Sequence, residues 1–407
     1  MFDVVVVGGR VAGAATAILL AGQGHRVALV DSDPAPRPTL STHVFGDWAA
    51  FGRLGVLDDA RLLAAPAMRR FRTEIDGCAT EAAMLATPYA RALRREVLDP
   101  LLVERACSFD LVTWLPGARV TGLRHENGVV AGVDALIDGS VTPLPARVVV
   151  GADGRRSLVA RAVGAEAYLT RPRVRCAYYA YFEGVATAGL PALEYYWQGD
   201  DVVIVAPCDG GLHCVCVMPP AADFAGWRAR HRDRYAEVLA SIETLAARMT
   251  SAVATGPVRG TGNLASYLRT PAGPGWALVG DAGAAVHPCI GAGIDHAVFS
   301  AGLFADTAHR FLSDEQTWAE AMADYATGRD ARIRPTLETA VKLAARGRVP
   351  SEDVQWLQVL LGMPGSAHDL GRHAVEVLRT IAGEATVARL AAMFGDAVVT
   401  AAQEARS

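Results

Sequence analysis

Three short segments, far apart in the chain, combine glycine with aspartate or arginine in patterns that suit phosphate binding. They occupy residues 4–17 (VVVVGGRVAGAATA), 148–165 (VVVGADGRRSLVARAVGA) and 278–295 (LVGDAGAAVHPCIGAGID). Each is an apolar run followed by small residues and then by a stretch that favours a helix. Strands that end in this way gather at one edge of an open α/β sheet, where ligands bind. The sequence therefore predicts that the three segments form one ligand site.

The first segment predicts the chemistry of that site. Gly8 and Gly13 stand at the outer positions of the G-x-G-x-x-G pattern that holds a dinucleotide diphosphate, but the middle position is Arg10. A helix beginning near Ala12 would offer unpaired N–H groups and a partial positive charge to the diphosphate. We expect the Arg10 guanidinium to lie near the phosphates or at the mouth of the cleft. Asp31, at the end of the next apolar run, is placed to bind a ribose hydroxyl.

Buried strands and helices must position these segments. Residues 3–8 and 26–31 are apolar without alternation, which is typical of strands buried on both faces, and residues 11–22 favour a helix between them. Residues 48–64 and residues 96–107 also favour helices. Residues 174–218 contain several short strands separated by Gly, Pro and Asp turns. This last region indicates a second, mostly antiparallel sheet.

Composition excludes several classes of protein. Of 407 residues, 51% are hydrophobic and 20% are charged, so we expect a large core rather than disorder. The 39 basic and 43 acidic residues form no basic block, which argues against a nucleic-acid partner. No apolar run is long enough for a membrane span and no signal peptide is evident, so we expect a cytoplasmic protein. The seven cysteines form no C-x-x-C pair, and no cluster has metal-ligand spacing, so no metal is expected.

In their order and spacing, the three segments resemble those of the FAD-dependent monooxygenases of the p-hydroxybenzoate hydroxylase superfamily. This superfamily also contains flavin halogenases and geranylgeranyl reductases. The resemblance covers roughly residues 3–330 and rests on the N-terminal glycine pattern, a DG motif (Asp153–Gly154) and a GD motif (Gly280–Asp281). The GDAG form of the last motif is similar to that of one subgroup of FAD-dependent oxidoreductases, in which the G-x-R-x-x-G variant also occurs.

The resemblance implies an α/β fold that is α+β over the whole chain. A Rossmann-like FAD-binding domain is interleaved with an antiparallel-sheet substrate domain, and C-terminal helices follow. The predicted FAD-binding domain comprises 1–70, 91–165 and 260–330, the substrate-binding domain comprises 71–90 and 166–259, and the C-terminal helical segment comprises 331–407.

The resemblance also implies FAD as the cofactor and assigns its contacts. Asp281 matches the aspartate that bonds the ribityl chain, and Arg95 matches an arginine that reaches the cofactor from an R-x-x-L/F-D pattern. A surface salt bridge remains an alternative for Arg95, and a helix cap or turn brace for Asp153. The implied FAD contacts are Gly8, Arg10, Val11, Ala12, Gly13, Asp31, Ser41, Thr42, Arg95, Val120, Asp153, Gly280, Asp281, Pro288, Gly291, Ala292, Gly293 and Ile294.

Two histidines are candidate catalytic residues. His43, in the stretch STHVF, should return toward the flavin and could exchange a proton with the substrate, because free imidazole titrates near neutral pH. His287 precedes Pro288 and would lie beside the flavin ring by analogy. The alternative for His287 is a loop histidine bonded to a backbone group.

The function implied is that of a flavin-dependent monooxygenase. NAD(P)H would reduce FAD without a domain of its own, and O2 would then give a flavin hydroperoxide that oxygenates a small aromatic or apolar substrate, as in natural-product biosynthesis. A reductase of the geranylgeranyl reductase type and a non-enzymatic flavin carrier remain alternatives. Tryptophan-type halogenation is disfavoured, because the W-x-W-x-I-P motif is absent and the one lysine, Lys342, lies outside the region that would hold it. We expect a monomer or a homodimer.

Overall fold

The computed structural model of the chain describes residues 1–35, 39–84, 87–348 and 384–385. The strands are β1 (Phe2–Val7), β2 (Val27–Asp31), β3 (Val44–Phe45), β4 (Arg70–Ile75), β5 (Cys78–Ala83), β6 (Arg91–Ala92), β7 (Val112–Pro116), β8 (Arg119–Glu126), β9 (Val129–Ile137), β10 (Ser140–Gly151), β11 (Ala167–Arg171), β12 (Ala177–Glu183), β13 (Ala192–Gln198), β14 (Asp201–Pro207), β15 (His213–Met218), β16 (Val253–Ala254), β17 (Arg259–Thr261), β18 (Ser266–Arg269), β19 (Ala272–Gly273), β20 (Trp276–Leu278) and β21 (Ala284–Ala285). The helices are α1 (Val11–Gly22), α2 (Trp48–Gly52), α3 (Ala60–Leu63), α4 (Arg95–Cys107), α5 (Leu158–Ala162), α6 (Phe224–Ser241), α7 (Glu243–Arg248), α8 (Gly293–Leu312) and α9 (Trp318–Ala344).

The N-terminal apolar runs form the centre of the first sheet. Its parallel strands lie in the order β20-β10-β1-β2-β7, and β19 adds an antiparallel strand beside β20. Helices α1, α4 and α8 pack on one face, while α5 and the β8–β9 hairpin cover the other. Because both faces are covered, Val4, Val5 and Val6 are completely buried, which explains a strand without polar alternation.

The second sheet takes strands from two distant parts of the chain. Its order is β16-β12-β15-β14-β13-β4-β5, and β17 also pairs with β12. Adjacent strands in this sheet are antiparallel, except that β4 runs parallel to β13. Helices α6 and α7 cover one face of this sheet, and its other face packs toward α9, β18 and β21. The hairpin of β4 and β5 is therefore part of the same sheet as residues 177–218.

Helix α9 joins the two layers. Near its start, the Tyr325 hydroxyl donates to the Leu278 carbonyl over 2.6 Å. Just past its end, the buried Arg175 guanidinium donates to the carbonyls of Ala344 (2.7 Å) and Arg346 (2.6 Å). Carbonyls at a helix C-terminus carry partial negative charge, so a cation is stabilised there. The start of α9 is therefore bonded to β20 of the first sheet. Its end is bonded to Arg175, just before β12 of the second sheet.

The predicted fold class is confirmed, with one local difference. Residues 48–64 form two short helices, α2 and α3, instead of one, because the chain between them turns through Gly55 at φ +67°. The predicted domain boundaries stay a prediction, and the one at 330/331 falls inside α9. Of the predicted C-terminal segment, residues 349–383 and 386–407 lie outside the described residues. Within the described part of the chain, no helix is long and apolar enough to cross a membrane.

Candidate active site

A cavity of about 740 Å³ lies at the carboxyl ends of β1, β2 and β10. Most of the residues predicted from the sequence line it: Gly8, Arg10, Val11, Ala12, Asp31, Ser41, Thr42, Arg95, Val120, Asp153, Asp281, Pro288, Gly291, Gly293 and Ile294. Five predicted residues do not line it, namely Gly13, Gly280, Ala292, His43 and His287. The cavity therefore gathers all three glycine-containing segments, as their positions after apolar strands predicted.

Gly8 and Gly13 allow α1 to approach the first sheet closely. Gly8 has φ +107°, and a Cβ there would lie 2.6 Å from the carbonyl oxygen of Ala152. A Cβ on Gly13 would lie 1.8 Å from the carbonyl oxygen of Gly8. Both distances are far below van der Waals contact, so only glycine fits at these two positions. Gly13 thus supports the cavity from behind rather than lining it.

The N-terminus of α1 opens into the cavity without a cap. Arg10 is the N-cap residue, and its side chain makes no capping hydrogen bond to the helix. No acidic residue lies in the first turn. The unpaired N–H groups and the positive end of the helix dipole therefore face the cavity, which suits an anionic diphosphate. The backbone of Arg10 is extended, at φ −86° and ψ −169°, so its Cβ causes no strain in place of the usual glycine.

The Arg10 side chain follows the cavity wall. Its guanidinium lies 3.7 Å from the Asp33 carboxylate, and about a third of the side chain is exposed. Asp33 follows the end of β2, on the same side of the cavity as Asp31. The guanidinium is therefore a positive group at the cavity wall, close to the α1 N-terminus, and its place beside the phosphates stays a prediction.

Arg10→Gly is expected to weaken FAD binding by about 5-fold to 20-fold, because the substitution removes a cation beside the predicted diphosphate site. The measurement is the FAD dissociation constant of the apoprotein, followed by flavin fluorescence. Arg26→Ala, which removes an exposed arginine paired with Asp3, is the control and should bind FAD as the wild type does. An unchanged constant in Arg10→Gly would show that the arginine is merely tolerated in the glycine pattern.

Asp31 is oriented by the backbone around it. Its Oδ2 accepts from the Gly9 N–H at 2.6 Å, and its Oδ1 accepts from the Asp33 N–H at 2.8 Å. These bonds fix the carboxylate at the cavity wall, and each oxygen retains a further lone pair. Such a fixed carboxylate can accept from ribose hydroxyls.

Arg95 is held by the aspartate of its own motif. Its Nε and Nη2 donate to the Asp99 carboxylate at 2.7 and 3.0 Å, and Asp99 is completely buried. The pair is one helical turn apart on α4 and has the bidentate geometry typical of arginine and carboxylate. A buried counter-charge therefore positions Arg95 at the cavity instead of at the outer surface.

Asp281 lies beside an arginine that the sequence analysis missed. Its carboxylate is 3.4 Å from the Arg155 guanidinium, which also donates to the Ala265 carbonyl at 2.7 Å. Burial raises the pKa of Asp281, and the positive charges of Arg155 and Arg95 act in the opposite direction. Arg155 lines the same cavity. The two consecutive arginines after Gly154 were the signal that could have identified it.

Asp153 makes the contacts at a helix start that were considered for it, and it also lies at the cavity wall. Its Oδ2 accepts from the N–H groups of Leu158 (2.6 Å) and Val159 (3.2 Å) at the start of α5. Its Oδ1 is buried and has no hydrogen-bond partner among the described residues. A buried carboxylate oxygen without a partner at a cavity wall is costly, so this atom also fits a ligand that donates a hydrogen bond.

The GDAG segment leads to a second helix N-terminus at the cavity. Residues Pro288–Ile290 form a short turn, and Gly291 follows in the left-handed region at φ +69°. A Cβ on Gly291 would lie 3.3 Å from Val44, so glycine keeps the backbone close to its neighbours. Helix α8 then begins at Gly293 without a side-chain cap. The cavity therefore has uncapped helix N-termini from both α1 and α8.

Both candidate catalytic histidines are buried beside the cavity and have other partners. The Nε2 atom of His43 is 2.6 Å from the Tyr181 hydroxyl, and His43 has φ +62°. The Nδ1 atom of His287 accepts from the Cys289 N–H at 3.3 Å. Burial lowers the pKa of each imidazole to about 3, and nearby arginines act in the same direction. Both side chains are therefore neutral at physiological pH.

The uncapped helix N-termini, the fixed Asp31 and the partnerless Asp153 oxygen together fit the diphosphate and hydroxyl groups of FAD. The chain belongs to the family described as FAD binding domain, which matches residues 1–306, and FAD is its cofactor. This confirms the resemblance to FAD-dependent monooxygenases and the cofactor predicted from it.

Two relatives have names that identify them as monooxygenases. The 6-methylpretetramide 4-monooxygenase of Streptomyces rimosus is 35% identical over 171 residues, and the match spans 40% of this chain and 40% of that relative. The kynurenine 3-monooxygenase of Salinispora arenicola is 28% identical over 329 residues, which are 72% of this chain and 69% of the relative. Among solved structures, the myxobacterial chondrochloren halogenase matches with a TM-score of 0.79 at 21% identity. The match covers 94% of this chain and 90% of the halogenase chain. At that identity the likeness shows the fold alone.

Proposed function

We propose that the protein is a flavin-dependent monooxygenase that uses NAD(P)H and O2 to hydroxylate or oxygenate a small aromatic or apolar molecule. The observation that carries the proposal is the 740 Å³ cavity, in which two uncapped helix N-termini meet Asp31, Arg95 and Asp281 in a chain of the FAD-binding family. Both relatives described above are named monooxygenases. We place the enzyme in the cytoplasm, where NAD(P)H is available.

Different residues around the cavity would bind different parts of the cofactor. The N-terminus of α1 and Arg10 would hold the diphosphate, Asp31 the adenosine ribose, and Asp281 the ribityl chain. When bound, FAD accepts electrons from NAD(P)H and, once reduced, activates O2. The protein contributes binding, orientation and electrostatics to that chemistry.

Helix α8 would favour the reduced cofactor. Its uncapped N-terminus, beginning at Gly293, would lie against the flavin ring where negative charge accumulates on reduction. N–H donors that are already oriented stabilise such charge without reorganisation. The left-handed conformation of Gly291 gives the backbone the turn it needs to present these donors.

The second sheet would supply the aromatic wall expected for the substrate. Along β12, Tyr179 and Tyr181 face the core that the second sheet shares with α9 and β18, while Tyr178 faces α6 on the opposite side. The Tyr179 hydroxyl donates to the Thr39 carbonyl at 3.3 Å, beside the FAD cavity. An apolar, aromatic surface of this kind suits a flat or apolar substrate such as those oxidised in natural-product biosynthesis.

The test is the purified holoenzyme with a panel of aromatic substrates. Monooxygenation requires substrate-dependent NAD(P)H oxidation, matched O2 consumption and incorporation of oxygen from labelled O2 into the product, read by mass spectrometry. A geranylgeranyl-type reductase would instead form product without O2. A product that requires chloride or bromide would identify a halogenase, and a protein that stays colourless with added FAD would contradict the proposal altogether.

A further inference from the structure

A second cavity, of about 590 Å³, opens on the surface between α6 and the second sheet. Four basic side chains and two aromatic rings line it: Arg156, Arg173, Arg228, His231, Tyr178 and Phe224. The remainder of its wall comes from residues 260–265, and no acidic side chain is among the described residues that line it. We call it the basic cavity.

Glycine backbone and aromatic rings form its floor. A Cβ on Gly260 would lie 2.2 Å from the Tyr178 ring, and a Cβ on Gly262 would lie 2.6 Å from the Phe224 ring. Both rings therefore lie directly against the backbone. The Arg173 guanidinium lies over the Phe224 ring, 5.2 Å from its centroid, and donates to the Gly262 carbonyl at 3.3 Å. These contacts hold Arg173 at the cavity.

Helix α6 is bent at this cavity. Phe224 and Arg228 lie one turn apart on its first half, and the helix is interrupted at Arg230, with φ −133° and ψ 35°. His231, directly after the interruption, stacks on the Tyr178 ring at a centroid distance of 6.0 Å. The bend therefore brings His231 to the same cavity as Arg228.

The three guanidinium groups concentrate positive charge at this cavity. Arg156, Arg173 and Arg228 form no ion pair within the described ranges, whereas Arg230 on the same helix pairs with Asp233 (3.6 Å) and Glu237 (3.1 Å). The whole chain has a formal net charge of −4, so this concentration of positive charge is local. Converging guanidinium groups suit phosphate oxygens, which accept paired N–H donors.

The basic cavity adjoins the FAD cavity. Arg156, Thr261 and Asn263 line both, and Arg155 lies next to Arg156 on the FAD side. A ligand whose phosphates occupy the basic cavity can therefore extend past this shared wall toward the flavin. A molecule that must meet the flavin and carries several phosphates is a reduced nicotinamide dinucleotide.

We infer that the basic cavity binds the 2′-phosphate of NADPH and makes it the preferred electron donor over NADH; this inference rests on the proposed function. A dinucleotide diphosphate alone brings two negative charges, and the 2′-phosphate adds up to two more. The three positive guanidinium groups match the charge of NADPH, with its additional 2′-phosphate, better than that of NADH. Arg228 and Arg173 bind this phosphate directly, and Arg156 at the shared wall contacts the diphosphate.

The test is Arg228→Ala in the FAD-loaded enzyme, with anaerobic flavin reduction followed by absorbance. The half-saturating concentration should rise about 10-fold or more for NADPH and less than about 3-fold for NADH, because only NADPH loses a charge-assisted contact. Arg232→Ala, which removes an exposed arginine of α6 outside the cavity lining, is the control. Arg228→Lys should restore part of the affinity.

A binding measurement separates the site from turnover. Calorimetry with adenosine 2′,5′-bisphosphate should give tighter binding than AMP, and Arg228→Ala should remove the difference. Equal affinities for the two probes, or unchanged NADPH saturation in Arg228→Ala, would overturn the inference. If neither dinucleotide reduces the wild-type flavin, the inference falls together with NAD(P)H as the electron donor, whereas oxygenated product from dithionite-reduced enzyme and O2 would still support the monooxygenase reaction of the proposed function.

Discussion

Gly13→Ala is expected to yield a protein that no longer retains FAD. The added Cβ would lie 1.8 Å from the Gly8 carbonyl oxygen, and that oxygen cannot yield because Gly8 is itself packed against Ala152. Helix α1 would have to move away from β1, and its N-terminal N–H groups would no longer point at the diphosphate. We expect a stability loss of about 1–3 kcal/mol from the overpacking as well. The readout is the flavin absorbance of the purified protein relative to its protein absorbance, together with urea unfolding.

Gly22→Ala is the matched control on the same helix. A Cβ there would lie 3.8 Å from the nearest atom, on the Phe109 ring, which is ordinary contact. Alanine favours a helix over glycine by up to about 1 kcal/mol, so this variant should keep its FAD and its stability. Wild-type flavin content in Gly13→Ala would refute the role assigned to the close packing of α1.

When the pH falls from 6 to 4, the free energy of unfolding is expected to drop in both the wild type and His43→Asn. The drop should be about 2 kcal/mol smaller in His43→Asn. Burial lowers the pKa of His43 to about 3, against 6.5 when unfolded. In this window the unfolded chain binds a proton at His43 that the native chain does not, so acidification favours unfolding. The slope approaches about 1.4 kcal/mol per pH unit and is lost when the histidine is removed. Asparagine is a suitable replacement because it tolerates the left-handed conformation at φ +62°.

A comparison of variants is needed, because other groups also titrate in this window. His287 and His296, whose pKa values are lowered by burial to about 3 and about 4, act in the same direction as His43. Asp201 and Asp295, whose pKa values are raised by burial to about 6, act in the opposite direction. Their contributions cancel when two unfolding curves are subtracted. His125→Asn, at an exposed position, is the control, and parallel curves for His43→Asn and the wild type would contradict a buried neutral imidazole.

Much of the fold and of the cavity could be predicted, because the signals are local. Unbroken apolar runs such as residues 3–8 identify strands buried on both faces, and the site aspartates follow directly after such runs. Parallel strands place their carboxyl ends at one edge, so Asp31, Asp153 and Asp281 were expected in one cavity, and all three line it. The position of the site therefore needed little knowledge of long-range packing, whereas FAD itself was implied by the resemblance to a known family.

The parts that escaped prediction depend on contacts between distant segments. The partner of His43 is Tyr181, which lies 138 residues away on the second sheet, and nothing near His43 in the sequence indicates it. Arg155 becomes part of the cavity only because Asp281 and residue 265 meet it in space. Whether His43 and His287 take part in catalysis stays a prediction. The basic cavity likewise combines residues of β12, α6 and β17 with loop residues such as Arg156 and Arg173, so no single motif encodes it.

The pairing of the first sheet also determines when this cavity can form during synthesis. Strand β1 pairs with β10, and the outer neighbour of β10 is β20, which emerges from the ribosome only with Trp276–Leu278. Asp281 and the N-terminus of α8 come later still. A nascent chain that ends before Trp276 has the opening glycine segment but leaves one edge of β10 unpaired, and such edges invite wrong partners. FAD can therefore bind only after residues 276–293 have been synthesised, because these residues complete the sheet beside β10 and close the cavity.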